Sequence, residues 1–250
     1  MPAQIDIGPV DPRLRDLLAP GGVMRAGTNL SNFLLVTGKT VERAPVGVSP
    51  DMARCFADCL GVEVAYVTYP SPGPLADAAA NDAWDIGLIG AEPQRARMIA
   101  FTPPYVEIEA SYLVRNDAPF GTPQALDAPG KRIAVTGRTA YALWLENNLR
   151  HAELVYAGNF DDALALFRDE GLDALAGLRS RLVTDARTMP GTRILPGRFM
   201  AVQQAVGVPI ARAEALPLVA RFVTAARDGG LVAELIEKHG VHDLAVAKPA

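Results

Sequence analysis

The sequence predicts an α/β fold of two lobes, each a mainly parallel sheet flanked by helices. Three observations carry that reading. Short apolar or alternating runs of strand character are separated by helix-like segments of about ten residues, the spacing of right-handed parallel crossovers. That alternation runs through two successive, similar cycles. The carboxyl ends of the predicted strands hold small or polar residues, where open parallel sheets bind their ligands.

The elements follow in order. Asp11-Pro12 reads as an N-cap with proline in the first turn, opening a short helix through Leu18. A strand over 23–28 ends at Gly27-Thr28-Asn29. Ser49-Pro50 opens a helix with Met52, Cys55, Phe56, Cys59 and Leu60 on its apolar face and Gly61 as its stop. Residues 62–69 alternate as a strand, 74–81 form an Ala-rich helix, and 85–89 a buried strand. A helical turn over 92–98 and an extended segment over 105–115 close the first cycle. The second cycle has a strand over 131–136 and a helix opened by Gly137-Arg138-Thr139 that runs through Leu149. A strand over 154–157 and a helix capped by Asn159 and running to Asp169 come next. They are followed by a strand over 172–176 and a helix to about Arg187. Strands over 193–195 and 200–208 and helices over 211–227 and 231–239 complete the chain.

Composition bounds the function. The 250 residues are 50% hydrophobic and 21% charged with a net charge of −4, enough apolar material for a full core and too little polarity for disorder. The acidic balance and scattered Lys/Arg argue against nucleic-acid binding. No apolar run is long enough for a membrane span, so no membrane insertion is expected. Cys55 and Cys59 lie four apart on one helix face and read as buried thiols, since a bridge at that spacing would strain the helix. His151, His239 and His242 show no ligand spacing, and His239 and His242 suit the negative end of the last helix. No metal or cofactor is expected. The N-terminus lacks a basic segment followed by an apolar one, so the sequence as written is expected to be cytoplasmic, or periplasmic if a signal peptide has been removed.

An ordered set of motifs then carries a resemblance. Gly27-Thr28-Asn29 follows the first strand, and Gly47-Val48-Ser49-Pro50-Asp51 precedes the Met52 helix. Trp84-Asp85-Ile86, Arg95, Ile99-Ala100-Phe101-Thr102 and Pro104-Tyr105 come next. Lys131-Arg132-Ile133-Ala134-Val135, Gly137-Arg138-Thr139-Ala140-Tyr141 and Gly171-Leu172-Asp173-Ala174 complete it. Over roughly residues 23–240 the set resembles the family 3 bacterial solute-binding proteins, which typically serve amino-acid ABC transporters. The resemblance implies a type II periplasmic-binding-protein fold. Lobe 1 would be discontinuous, 1–108 and 204–250, and lobe 2 would be 109–203. Two crossing segments, near 108–112 and 199–204, would form a hinge, with the ligand enclosed in the interlobe cleft.

The resemblance also assigns site residues. Arg95 matches the arginine that grips a ligand carboxylate, a bidentate charge-assisted fork; the plain alternative is a surface arginine on a short helix. Thr139 matches a hydroxyl at a helix N-terminus, where backbone N–H groups favour an anion, or is an N-cap with no ligand. Gly137 would allow close approach of the chain. Arg138 departs from the family's small residue and either adds positive charge or faces water. Asn32 stands where relatives often stack an aromatic, a contact Phe33 could replace, and Asn29 and Ser31 could donate hydrogen bonds. Gln203 and Gln204 lie on the return segment, with one of the two facing the cleft. Arg198 and Tyr112 are candidates for the hinge or rim. Glu92 reads as a cap for the turn after it. Amino-acid binders usually place an Asp after the 172–174 stretch to hold the ligand's ammonium. Here Leu178 stands there with Arg179 beside it. A buried ammonium without a counter-charge costs several kcal/mol, so the ligand is expected to be a small anionic carboxylate lacking a free α-amine. Glu92 or Glu109 serving the amine from another direction is the opposing reading.

The function expected is non-catalytic solute binding by a monomer, with an ABC permease as partner. The alternatives are a cytoplasmic ligand sensor or an enzyme resembling cyclohexadienyl dehydratases, which remove water and carbon dioxide from prephenate-like acids and need a positioned general acid. The amphipathic stretch 231–236 leaves room for a protein-interaction module, though that pattern more often means core packing.

Overall fold

The computed structural model describes residues 5–249. Residues 1–4, on which the reading of the N-terminus rests in part, lie outside the described residues. The chain forms two compact units. The first takes the chain up to Glu107 and again from Gln203, and the second is Ile108–Val202.

In the first unit the strand order is Glu63–Tyr69, Val23–Asn29, Ile86–Gly90, Met200–Pro209. The first three are parallel, with Gly27 opposite both Val67 and Gly87, and the fourth runs antiparallel to Ile86–Gly90. Helix Val48–Leu60 makes the first crossover and ends at Gly61 in the left-handed region (φ 67°), as its sequence signals. Phe56 of this helix meets Phe222 of helix Leu216–Asp228, ring centroids 4.9 Å apart. On the opposite side Trp84 is fully buried with Leu75, Ile89 and Ile99, and its indole N–H donates to the Leu75 carbonyl at 3.0 Å. A Cβ at Gly27 would stand 2.6 Å from Leu75 and 3.0 Å from Trp84, so this glycine exists for close packing.

In the second unit strands Arg132–Thr136 and Glu153–Ala157 pair in parallel, and Ala174–Leu178 lies parallel to Arg132–Thr136. Ala174–Leu178 is antiparallel to strand Val106–Arg115, through the pairs Leu178↔Ala110 to Leu175↔Leu113. Helices Ala140–Asn148 and Phe160–Asp169 open on side-chain caps from Thr139 and Asn159, as predicted. Phe167, Leu113, Leu175 and Leu182 form the core.

One local device recurs in both units. Asp85 N–H donates to the Arg25 carbonyl (2.8 Å), and its carboxylate accepts from Arg25 N–H (2.7 Å). Asp173 does the same with Arg132, at 2.9 Å in each direction. Each aspartate thus closes the start of a central strand onto its parallel neighbour, satisfying an end group that the ladder leaves open.

Three departures from the sequence reading have physical causes. The predicted strand 172–176 is Ala174–Leu178, because Leu172 enters the core and Asp173 makes the bridge just described. The predicted helix 211–227 is a 3-10 segment, Ile210–Ala215, followed by Leu216–Asp228, because Pro217 fits only a first turn. His239 does not simply face the helix end. It is buried, and its Nε2 lies 2.8 Å from Asp51, which also accepts from Lys238 (2.7 Å). Cys55 and Cys59 are half-buried free thiols, their pKa values pushed up mainly by burial. The short hairpin Gly38–Lys39/Pro45–Val46 and strands Ile99–Phe101 and Ala245–Val246 were not anticipated. Each is too short for periodicity to reveal.

Candidate functional site

In the first unit the loop after Val23–Asn29 is a set of local turns. Asn29 Oδ1 accepts from Ser31 N–H (3.1 Å) and from the Ser31 hydroxyl (2.9 Å), so these two side chains serve each other. The Asn32 carbonyl accepts from Leu35 N–H (3.0 Å) and Val36 N–H (2.8 Å). The Asn32 side chain is buried, and its Oδ1 has no hydrogen-bond partner. Phe33 beside it is 38% exposed, free to present an aromatic face.

Two residues beyond strand Ile86–Gly90 stands Glu92, and three further on Arg95, the first residue of a 3-10 turn. Both are about 95% buried. Arg95 Nη1 donates to the Gly90 carbonyl at 2.8 Å, which fixes the guanidinium beneath the strand end. Glu92 does cap the start of the turn, but through its carbonyl, which accepts from Arg95 N–H (2.9 Å) and Ala96 N–H (3.1 Å). The predicted side-chain cap is absent from the turn, and among the described residues the carboxyl makes no hydrogen bond or ion pair. Burial pushes its pKa from the usual 4.5 up to about 7, with Arg95 opposing. Gln204 is buried opposite Gly90, and its carbonyl accepts from Tyr105 N–H (2.9 Å). Gln203 is half-buried, and its carbonyl accepts from Ala91 N–H (2.8 Å).

A pH dependence follows. Below about pH 4.5 Glu92 is protonated in both folded and unfolded chains, and its contribution to stability is full. As pH rises through about 7 the unfolded chain ionises first, and that contribution is lost. The melting temperature of the ligand-free protein is expected to fall relative to that of Glu92→Gln between about pH 5 and 8. Parallel profiles in differential scanning calorimetry would disprove the burial effect.

In the second unit Thr139 is buried and caps its helix. Its hydroxyl donates to the Thr136 carbonyl (2.8 Å) and accepts from Ala142 N–H (3.2 Å). The hydroxyl proton is therefore committed, and an anion at this helix start would meet backbone N–H groups instead. Gly137 donates its N–H to the Ala157 carbonyl at 3.0 Å, and a Cβ there would meet only ordinary contacts within this unit. Exposed Arg138, not Gly137, carries the left-handed backbone (φ 62°), which costs a non-glycine residue about 1–2 kcal/mol. Leu178 is buried at the end of its strand. Arg179 Nε pairs with Glu109 (2.9 Å), and its Nη2 donates to the Gly197 carbonyl. Arg198 pairs with the other Glu109 oxygen at 3.4 Å, and Tyr112 is buried against Phe199, ring centroids 4.6 Å apart.

The residue that the sequence reading undervalued is Glu92. Its signal was an acid held between a fully buried strand and Pro93, a residue with no N–H to offer it. Among the described residues no group of three or more His, Cys, Asp or Glu could hold a metal, and no helix is long and apolar enough to cross a membrane.

Comparison with known proteins places the chain among known families and folds. A family model described as bacterial extracellular solute-binding proteins, family 3, matches residues 33–242. A mutant of ArgBP from T. maritima is 21% identical with a TM-score of 0.71, covering 91% of this chain and 99% of that one. A Streptococcus pneumoniae amino acid ABC transporter substrate-binding protein bound to L-arginine is 20% identical with a TM-score of 0.71, covering 94% and 99%. An ancestral amino acid-binding protein, AncCDT-1, described as a precursor of cyclohexadienyl dehydratase, is 20% identical with a TM-score of 0.69, covering 90% and 98%. No curated protein sequence matches. At this identity the solved structures show the fold, that of the two-lobed periplasmic-binding proteins.

Proposed function

The chain belongs to the bacterial extracellular solute-binding proteins, family 3, and from that premise we propose that it captures a small carboxylate-bearing solute without catalysis and delivers it to an ABC permease. That role would be exercised outside the cytoplasmic membrane. The observation that carries the reading is Arg95. It is a guanidinium 4% exposed at the carboxyl end of a central parallel strand, held in one orientation by the Gly90 carbonyl. Buried and oriented, an arginine binds a carboxylate through two parallel charge-assisted hydrogen bonds. Asn32, Phe33 and Gln204 stand in the same unit as the remaining contacts this reading would recruit. The L-arginine held by the pneumococcal protein is itself a carboxylate-bearing solute.

One observation favours a second reading. A buried carboxyl with a pKa of about 7 beside an arginine has the proton affinity of a general acid, which a dehydratase acting on a prephenate-like acid requires.

A thermal-shift screen tests both. The panel holds the L-amino acids, their deaminated carboxylic-acid analogues, and prephenate. A ligand at about 100-fold above its Kd adds roughly 2.7 kcal/mol, a rise of roughly 5–10 °C for a chain of this size. A rise of that order with a carboxylate-bearing member supports solute binding. No rise with any member overturns it, and consumption of prephenate would replace it with the dehydratase reading.

A further inference from the structure

We propose that the second unit holds a subsite for a carboxylate of the solute at the start of helix Arg179–Thr188, so that the solute carries a second acidic group besides the one given to Arg95. This rests on the solute-binding reading above. It is the opposite of what the resemblance implies for this strand end, where an acid would hold an ammonium.

The first ground is a helix start without an acceptor. The first four N–H groups of a helix have no partner inside it. Helix Ala140–Asn148 is capped by Thr139, and helix Phe160–Asp169 by Asn159, with Asp161 and Asp162 in its first turn. Helix Arg179–Thr188 has Leu178 at its cap position, no side-chain cap and no acid in its first turn. Its strand, Ala174–Leu178, is the parallel neighbour of Arg132–Thr136, so this start opens at the end of the sheet that carries Thr139. That is the carboxyl end, where parallel sheets bind ligands.

The second ground is Ser180, the second residue of the helix. It is 8% exposed, and its hydroxyl oxygen is buried with no hydrogen-bond partner among the described residues. The Cα–Cβ bonds of a helix tilt toward its N-terminus, so the hydroxyl is aimed at the end where the N–H groups are open. A buried hydroxyl without a partner is costly. One carboxylate answers the hydroxyl and the N–H groups together, and the helix dipole favours its charge.

The third ground fixes the class of anion. The arginines on either side of Ser180 are engaged elsewhere. Arg179 holds Glu109 (2.9 Å) and the Gly197 carbonyl, and Arg181 holds Asp161 (2.6 Å) and Asp185 (2.8 Å). What this first turn offers a ligand is therefore uncharged donors. They match a singly charged carboxylate better than a phosphate dianion, which calls for a cation.

The test is calorimetric titration of the wild type, Ser180→Ala and Leu178→Asp. The probes are pairs that differ only by the second acid: succinate and butyrate, glutarate and valerate, L-glutamate and L-norvaline. In at least one pair the diacid is expected to bind about 10- to 100-fold more tightly than its partner. Ser180→Ala is expected to lower that ratio about 5- to 10-fold. Leu178→Asp puts a carboxylate at the cap position, where it takes the open N–H groups itself, and is expected to abolish the diacid's advantage. The ratio of the two affinities is the readout, because a general loss of folding lowers both alike. A diacid bound no more than about twofold better than its partner in every pair overturns the proposal, as does a ratio that either variant leaves unchanged. Both results leave solute binding intact. If none of the six probes binds while another carboxylate-bearing member of the thermal-shift panel does, this proposal alone falls. If that panel is silent as well, solute binding falls with it.

Discussion

Replacing Asp85 with alanine is expected to lower the unfolding free energy by about 3–5 kcal/mol, the range for removing one partner of a buried ion pair. Asp85 is fully buried. Its carboxylate accepts from the Arg25 backbone N–H (2.7 Å), Nε (3.1 Å) and Nη2 (2.8 Å), and Arg212 Nη2 lies 3.2 Å away. Alanine strands the Arg25 N–H at the head of its strand and removes one of the two carboxylates serving buried Arg212, leaving Asp82 (2.8 Å). Asp173 makes the same bridge in the second unit, but its side chain is 26% exposed, so water can replace what the carboxylate gave. Asp173→Ala is therefore expected to cost about 1–2 kcal/mol. Urea unfolding of the two variants checks the contrast. Equal losses would mean that the backbone bridge alone matters and the side chains of half-buried Arg25 and buried Arg212 do not. A loss under about 1 kcal/mol for Asp85→Ala would refute the network's importance.

That pair of aspartates shows what the sequence made legible. Trp84-Asp85-Ile86 and Leu172-Asp173-Ala174 could be read as strand starts, and the caps at Asp11, Thr139 and Asn159 could be read residue by residue, because each is a local hydrogen bond written in neighbouring positions. Periodicity served for strands and helices long enough to express it. It failed for two- and three-residue strands, which exist only through partners distant in the chain, such as Ile99–Phe101 pairing with Met200–Pro209. The site was less legible than the fold. Arg95 was found through its place in a motif. The state of Glu92 was not, since whether an acid is paired depends on what the fold leaves beside it. Leu178 could be read as a missing acid from the sequence alone, with Glu92 or Glu109 as the opposing reading.

Arg95→Met is expected to weaken binding of a carboxylate-bearing solute by roughly 30-fold to several thousand-fold, the consequence of removing a desolvated charge partner. Arg95→Lys keeps the charge but not the planar fork, and is expected to fall between Arg95→Met and the wild type. Folding suffers less than binding. The methionine leaves the Gly90 carbonyl without the donor it has at 2.8 Å, worth about 1–3 kcal/mol if no water replaces it. A second readout separates this site from a merely structural arginine. Arg95 is the charge that draws the Glu92 pKa down against burial, so its removal leaves that carboxyl still harder to ionise. In the Arg95→Met background the fall in ligand-free stability relative to the Glu92→Gln, Arg95→Met double variant therefore continues to higher pH than the same comparison in the wild type. Melting profiles of the four proteins across pH 5–9 measure it. An unchanged pH range would mean that Arg95 and Glu92 do not sense each other's charge.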